Sequence, residues 1–215
     1  ESYLDRMTHF DFKALLPALL QVEDRVSMAH GLESRLPAPL NKTAAQKLPL
    51  IVSHSVSAGR EAITDILLDR TLGVVWQTAP DKHIGRGELR FGGPAKLPVE
   101  AGWRLSGNGR GFAFSEWLDL LPKDADTNSV QISSVDLGFN SIELMGRYFP
   151  EVRVQGRNRN GVLRLAVTGR ELNGILSYRA ADAASSGSTG RVSAQFKQLT
   201  IPAAPAAAVQ VSGEP

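Results

Sequence analysis

The stretch "EVRVQGRNRNGVLRLAV" (residues 151–167) decides the fold. Val152 and Val154 alternate with Arg153 and Gln155, and Leu163, Leu165 and Val167 alternate with Arg164 and Ala166. Successive side chains of a strand point to opposite faces, so each half presents one apolar and one polar side. Between the halves stands Asn160-Gly161, a pair that accepts the positive φ of a tight hairpin turn. Two strands joined in this way share an apolar face, and that face must be covered by helices, by a second sheet or by a ligand.

The same period extends outward. In "VQISSVDLGFN" (130–140), Val130 and Ile132 alternate, followed by Val135, Leu137 and Phe139. In "GRVSAQFK" (190–197), Val192, Ala194 and Phe196 stand opposite Ser193 and Gln195. Nearer the start, "LPLIVSHSV" (48–56), "LGVVWQTA" (72–79), "GELRFGG" (87–93) and "AGWRLSGNG" (101–109) are short apolar runs bounded by Gly, Pro and Asp, the punctuation of strands. "SGNGRG" (106–111) and "GRELNG" (169–174) read as turns. "SEWLDLLP" (115–122) reads as a short helix with Ser115 as its cap and Pro122 beyond its end. "AADAASSGSTG" (180–190) has the composition of a flexible loop, and residues 202–215 that of a Pro/Ala-rich linker or tail.

Residues before 38 follow another period. "HFDFKALL" (9–16) and "PALLQVEDRVSMAH" (17–30) place Leu19, Val22, Val26 and Ala29 three and four apart, as on one side of a helix. Pro17 suits a first helical turn and Gly31 a stop. The expectation is a helical hairpin, too small to bury much surface alone.

Composition narrows the functional classes. The chain has 215 residues, with 24 basic and 22 acidic side chains and a formal net charge of +2. This balance gives no bulk electrostatic case for a nucleic-acid partner. The absence of cysteine removes disulfides, thiolate zinc sites and Cys nucleophiles together. No apolar run approaches the ~18 residues of a membrane span, and both ends read as cut from something longer. His9, His30, His54 and His83 lack ligand spacing. Gly85, Gly87, Gly92 and Gly93 do not make a dinucleotide fingerprint, because no helix follows. The residues point to no catalytic site, no metal and no cofactor.

Two family resemblances follow from longer motifs. Leu16-Pro17, then Asp24, Arg25, Ser27, Met28, Ala29, Leu32, Glu33, Arg35 and Pro37 resemble the synthetase domain of glutamine-dependent asparagine synthetases over residues 1–37. That resemblance would make Arg25 and Arg35 remnants of a nucleotide site in a cytoplasmic protein. The fragment would be inactive, because the Ser-Gly-Gly-x-Asp-Ser loop and the N-terminal Cys are both missing. Phe91-Gly92 closes a Gly-rich strand, "GWRLSG" (102–107) precedes the Trp117 turn, and "LMGRYF" (144–149) and the "L-x-G-x-L-x-Y" run at 172–178 follow. On these features residues 46–205 resemble the YhdP family of AsmA-like envelope proteins.

The second resemblance implies a segment of a periplasmic β-groove that passes phospholipid, or another apolar ligand, towards the outer membrane. Contact with the membrane would come only through parts of the parent protein outside this chain. The expected fold is mainly β: a curved antiparallel sheet forming a β-groove segment with a short helix, preceded by the N-terminal helical hairpin. The expected organisation is a helical fragment at 1–37, a junction at 38–45, the groove segment at 46–201 and a tail at 202–215. Candidate groove residues are Val152, Val154, Leu163, Leu165, Val167 and Phe196. By pattern alone, a sandwich or barrel that covers its own apolar face stands beside the open groove.

Overall fold

The computed structural model describes residues 25–29, 34–57, 61–79, 84–120, 131–179 and 190–202. They contain β1 (Arg25–Ala29), β2 (Leu48–Val56), β3 (Ala62–Leu68), β4 (Leu72–Thr78), β5 (Ile84–Phe91) and β6 (Gly102–Ala113). After these come the helix α1 (Phe114–Leu120), then β7 (Ile132–Leu144), β8 (Arg147–Arg159), β9 (Val162–Thr168), β10 (Leu172–Arg179) and β11 (Arg191–Leu199). All eleven strands join one open, curved sheet whose spatial order is the chain order. The hairpin quoted above is β8–β9, with Asn160 (φ 53°) and Gly161 (φ 75°) both left-handed at its turn.

The sheet is not wholly antiparallel, as the sequence reading expected. β6 runs parallel to both of its neighbours, β5 and β7. A parallel pair needs a connection long enough to return to the starting end. Residues 92–101 make the first return and the chain containing α1 makes the second. "SGNGRG" is likewise no turn but the middle of β6. Its Gly107 has φ 103°, and a Cβ there would collide with the Phe91 carbonyl of β5. Glycine in this strand therefore allows close strand approach rather than chain reversal.

Three further local readings change. β3 occupies "AITDILL", where no strand was expected. Residues 25–29, read as helix, form a strand on the edge of β2; "RVSMA" alternates as well as it spirals, and an edge offering free backbone partners decides between the two. The helix expected at 9–16 and most of that at 17–30 lie outside the described residues. α1 forms, but Ser115 lies inside it. The Ser115 hydroxyl accepts a hydrogen bond from the Met145 amide (2.7 Å), and so pins α1 to the β7–β8 turn.

Two apolar clusters hold the sheet. Leu72, Val74 and Trp76 are buried with Leu40, Ile66, Leu89, Phe91 and Trp103 packed on them. Phe149, Val152, Val167 and Leu172 are buried with Ile142, Leu144, Val154 and Leu176 around them. Phe149 and Val152 are three apart, which simple alternation forbids. Glu151 (φ 55°) between them inserts the irregularity that turns both inward. On the other face, residues 92–101 lie across β4 and β5. There the Glu88 carboxylate, 1% exposed, accepts hydrogen bonds from the Lys96 amide (2.5 Å) and the Ser106 hydroxyl (2.7 Å).

Candidate functional site

Partners in register on adjacent strands share a face of the sheet, so register aligns side chains across its width. One transverse row runs Val52, Ile66, Val74, Leu89, Leu105, Val135, Gly156, Leu165, Leu176 and Ala194, one residue from each of β2 to β11. Every member is apolar or glycine. At ~4.8 Å between strands, nine steps make a strip about 43 Å long. The adjacent row runs from Leu50 through Leu72, Phe91, Leu137, Val154 and Val167 to Phe196, without a charged residue.

The reverse face carries Ser53, Asp65, Val75, Glu88, Arg104, Ser134, Arg157, Arg164, Ser177 and Ser193 in one such row. The loop at 92–101 covers its apolar exception, Val75, which is buried. Burial also pushes the Asp65 carboxyl above its ordinary value of 3.8. Two shallow clefts of about 510 and 390 Å³ share Glu100, Ser133 and Arg157 and are lined mostly by polar groups. Neither suits an apolar cargo.

The apolar face has cover over part of its width. Leu40 rests on the Leu72–Val74–Trp76 cluster. The Trp117 ring of α1 stacks on Phe112 (centroids 6.2 Å, planes 7° apart), and Phe112 meets Phe139 (5.1 Å) and Phe91 (6.0 Å). The Trp117 indole N–H donates to the Ala38 carbonyl (2.9 Å), tying the two covering pieces together. The described residues contain no second sheet and no other helix. Half-buried Val52, Ile66, Leu89, Leu105, Leu165 and Leu176 line the strip. Other glycines of this face make room for rings: Trp103 lies over Gly87, Phe139 over Gly109 and Phe196 over Gly174.

All six residues singled out from the sequence fall on this face. Val152, Leu163 and Val167 are buried, Val154 and Leu165 are half-buried, and Phe196 on the edge strand is 42% exposed. Val154 pairs with Val167, and Leu165 faces Gly156 on one side and Leu176 on the other. Missed were the members from β2 to β6 and the ring cluster of Phe91, Phe112, Phe139 and Trp117. Their alternation was visible strand by strand, but only register shows that they form one strip. Arg25 lies in β1 and Arg35 is an exposed residue of the following segment.

Among known protein families, the model described as YhdP protein matches residues 15–214, nearly the whole chain. No curated protein and no solved structure matches the chain significantly. Nothing supports the asparagine synthetase resemblance of residues 1–37, and the match already includes residues 15–37.

Proposed function

The chain belongs to the YhdP family, and from that premise we propose that it is a segment of an envelope protein whose apolar sheet face carries phospholipid. The observation behind this reading is the unbroken apolar row across ten strands, half-exposed along much of its length. Among the described residues, a sheet with one apolar face has one helix for cover, and so a large area to remove from water at ~25 cal/mol per Å². Acyl chains are a cargo that such a strip accepts without specific polar contacts. The segment supplies surface rather than chemistry and needs no cofactor. The proposed location is the periplasmic side of the inner membrane, with anchorage from other parts of the parent protein. The proposed organisation keeps the groove segment at 46–201 and the tail at 202–215.

The test is native mass spectrometry and lipid extraction of the purified chain. Co-purified phospholipid, displaced by a radiolabelled or brominated lipid, is the expected result. A chain free of lipid that also fails to take up lipid from vesicles would leave the strip as a packing surface only.

A further inference from the structure

Opposite the apolar strip, the hairpin-turn end of β8–β9 and the neighbouring ends of β10 and β11 carry an arginine field. Arg157 faces Arg164 across β8–β9, and Arg179 faces Arg191 across β10–β11. Arg159 joins the second pair through Val162, which partners both Arg159 and Arg179. All five arginines are exposed. The ion pairs of the described residues use Arg104, Arg153 and Arg170 instead. Like charges placed directly opposite each other destabilise a sheet, and two such pairs occur here side by side.

Acidic groups do little to balance the field. Asp136 is taken by Arg153 (3.0 Å) and Gln155 (3.1 Å) further along the strands. Glu100 lines the cleft beside Arg157 and Arg159, which disfavours that cleft as the seat of a small anion. Residues 180–189, outside the described residues, contribute one acid to the sequence, Asp182. The positive charge therefore spreads towards the β11 edge instead of converging on a pocket.

We propose that this corner of the sheet docks on the phosphate groups of an anionic bilayer. Two observations favour a membrane over a discrete ligand. The basic residues are all arginine, whose planar fork grips phosphate oxygens in pairs. They lie on a grid about 14 Å across, three strand spacings wide, and no described polar group there is buried to define a pocket. This surface operates whether or not the apolar strip carries lipid.

The experiment is vesicle flotation of the full chain with phosphatidylcholine alone and with phosphatidylglycerol added. Binding is expected only with the anionic lipid, weakening as salt rises. Each arginine near such a surface contributes about fivefold in affinity, so Arg157→Gln with Arg164→Gln should weaken binding about 25-fold. Arg70→Gln, in the β3–β4 turn, should leave it unchanged. Tyr178→Ser with Val192→Ser, on the opposite face of the same strands, should also leave it unchanged. Circular dichroism of each variant controls for folding, and the salt series on the unaltered chain tests the ionic component independently. Equal binding to neutral vesicles, equal loss with Arg70→Gln, or displacement by inorganic phosphate beyond chloride at matched ionic strength would overturn the proposal. Leu165→Glu should keep vesicle binding, so failure of the strip and failure of this surface are separable.

Discussion

The ring of Phe139 occupies the space that a side chain on Gly109 would need: a Cβ there would stand 2.6 Å from Phe139 Cε1. The two residues are register partners on the parallel strands β6 and β7. The glycine lets the ring lie down across the neighbouring strand, where Phe112 and Phe91 pack against it at centroid distances of 5.1 and 5.5 Å. Gly109→Ala should force this ring up and cost about 1–3 kcal/mol, the usual range for an overpacked core. Gly111→Ala, where the nearest atom is 4.0 Å away, should cost less. Urea melts of both variants check the difference.

The strip can be probed by depth. Val167 is buried in the Phe149–Val152–Leu172 cluster, whereas Leu165 is half-exposed. Val167→Glu should unfold the β8–β10 region, because a carboxylate there loses water without gaining a partner. Leu165→Glu should fold, since its carboxylate can reach solvent, and should lose bound lipid. Arg164→Glu, on the reverse face, should fold and keep lipid in the strip. Thermal melts paired with lipid mass spectrometry read all three. Unfolding by Leu165→Glu, with no lipid in the unaltered chain, would favour a self-covered β-domain.

The segment before β2 can be tested by truncation. A chain starting at residue 34 keeps Leu40 on the Leu72–Val74–Trp76 cluster and the Ala38 carbonyl on Trp117. A chain starting at residue 46 loses both. The second should be less stable than the first by about 1–3 kcal/mol, combining one half-buried Leu with one hydrogen bond. Its Trp117 emission should also shift to the red. Equal stability of the two chains would show that this segment contributes no cover.

Asp65 sets a pH dependence. Burial raises its carboxyl above the ordinary 3.8, so the folded chain holds the proton more tightly than the unfolded chain. This contribution favours folding at acid pH. It is lost as pH rises from the ordinary value through the raised one. Asp65→Asn should therefore stabilise the protein at pH 7, and the gain should vanish below about pH 4. Denaturant titrations of both proteins at the two pH values give the sign directly.

Alternation carried most of the fold into view. Val152, Val154, Leu163, Leu165 and Val167 could be assigned to one face before any strand was paired, because a strand's period is local. Three things were not local. "AITDILL" places Ile63, Ile66 and Leu67 at helical spacing, and β3 forms because β2 and β4 flank it with hydrogen-bond partners. The glycines of "SGNGRG" signal a turn in isolation, yet in β6 they answer to Phe91 and Phe139 on adjacent strands. The direction of β6 is a property of its pairings, not of its residues. The arginine field was hidden for a similar reason: Arg157, Arg164, Arg179 and Arg191 are scattered along the chain, and only the folded sheet gathers them.

Spatial order that follows chain order throughout the sheet makes its width a linear quantity. Each strand hydrogen-bonds only to the strands before and after it, so a hairpin can be added or removed without rerouting any other connection. Two strands more or fewer change the span by roughly 10 Å, much as modules lengthen a solenoid array whose energy is a sum over neighbours. Such a sheet works as a ruler: its reach could be tuned in evolution by duplicating or deleting hairpins, one increment at a time.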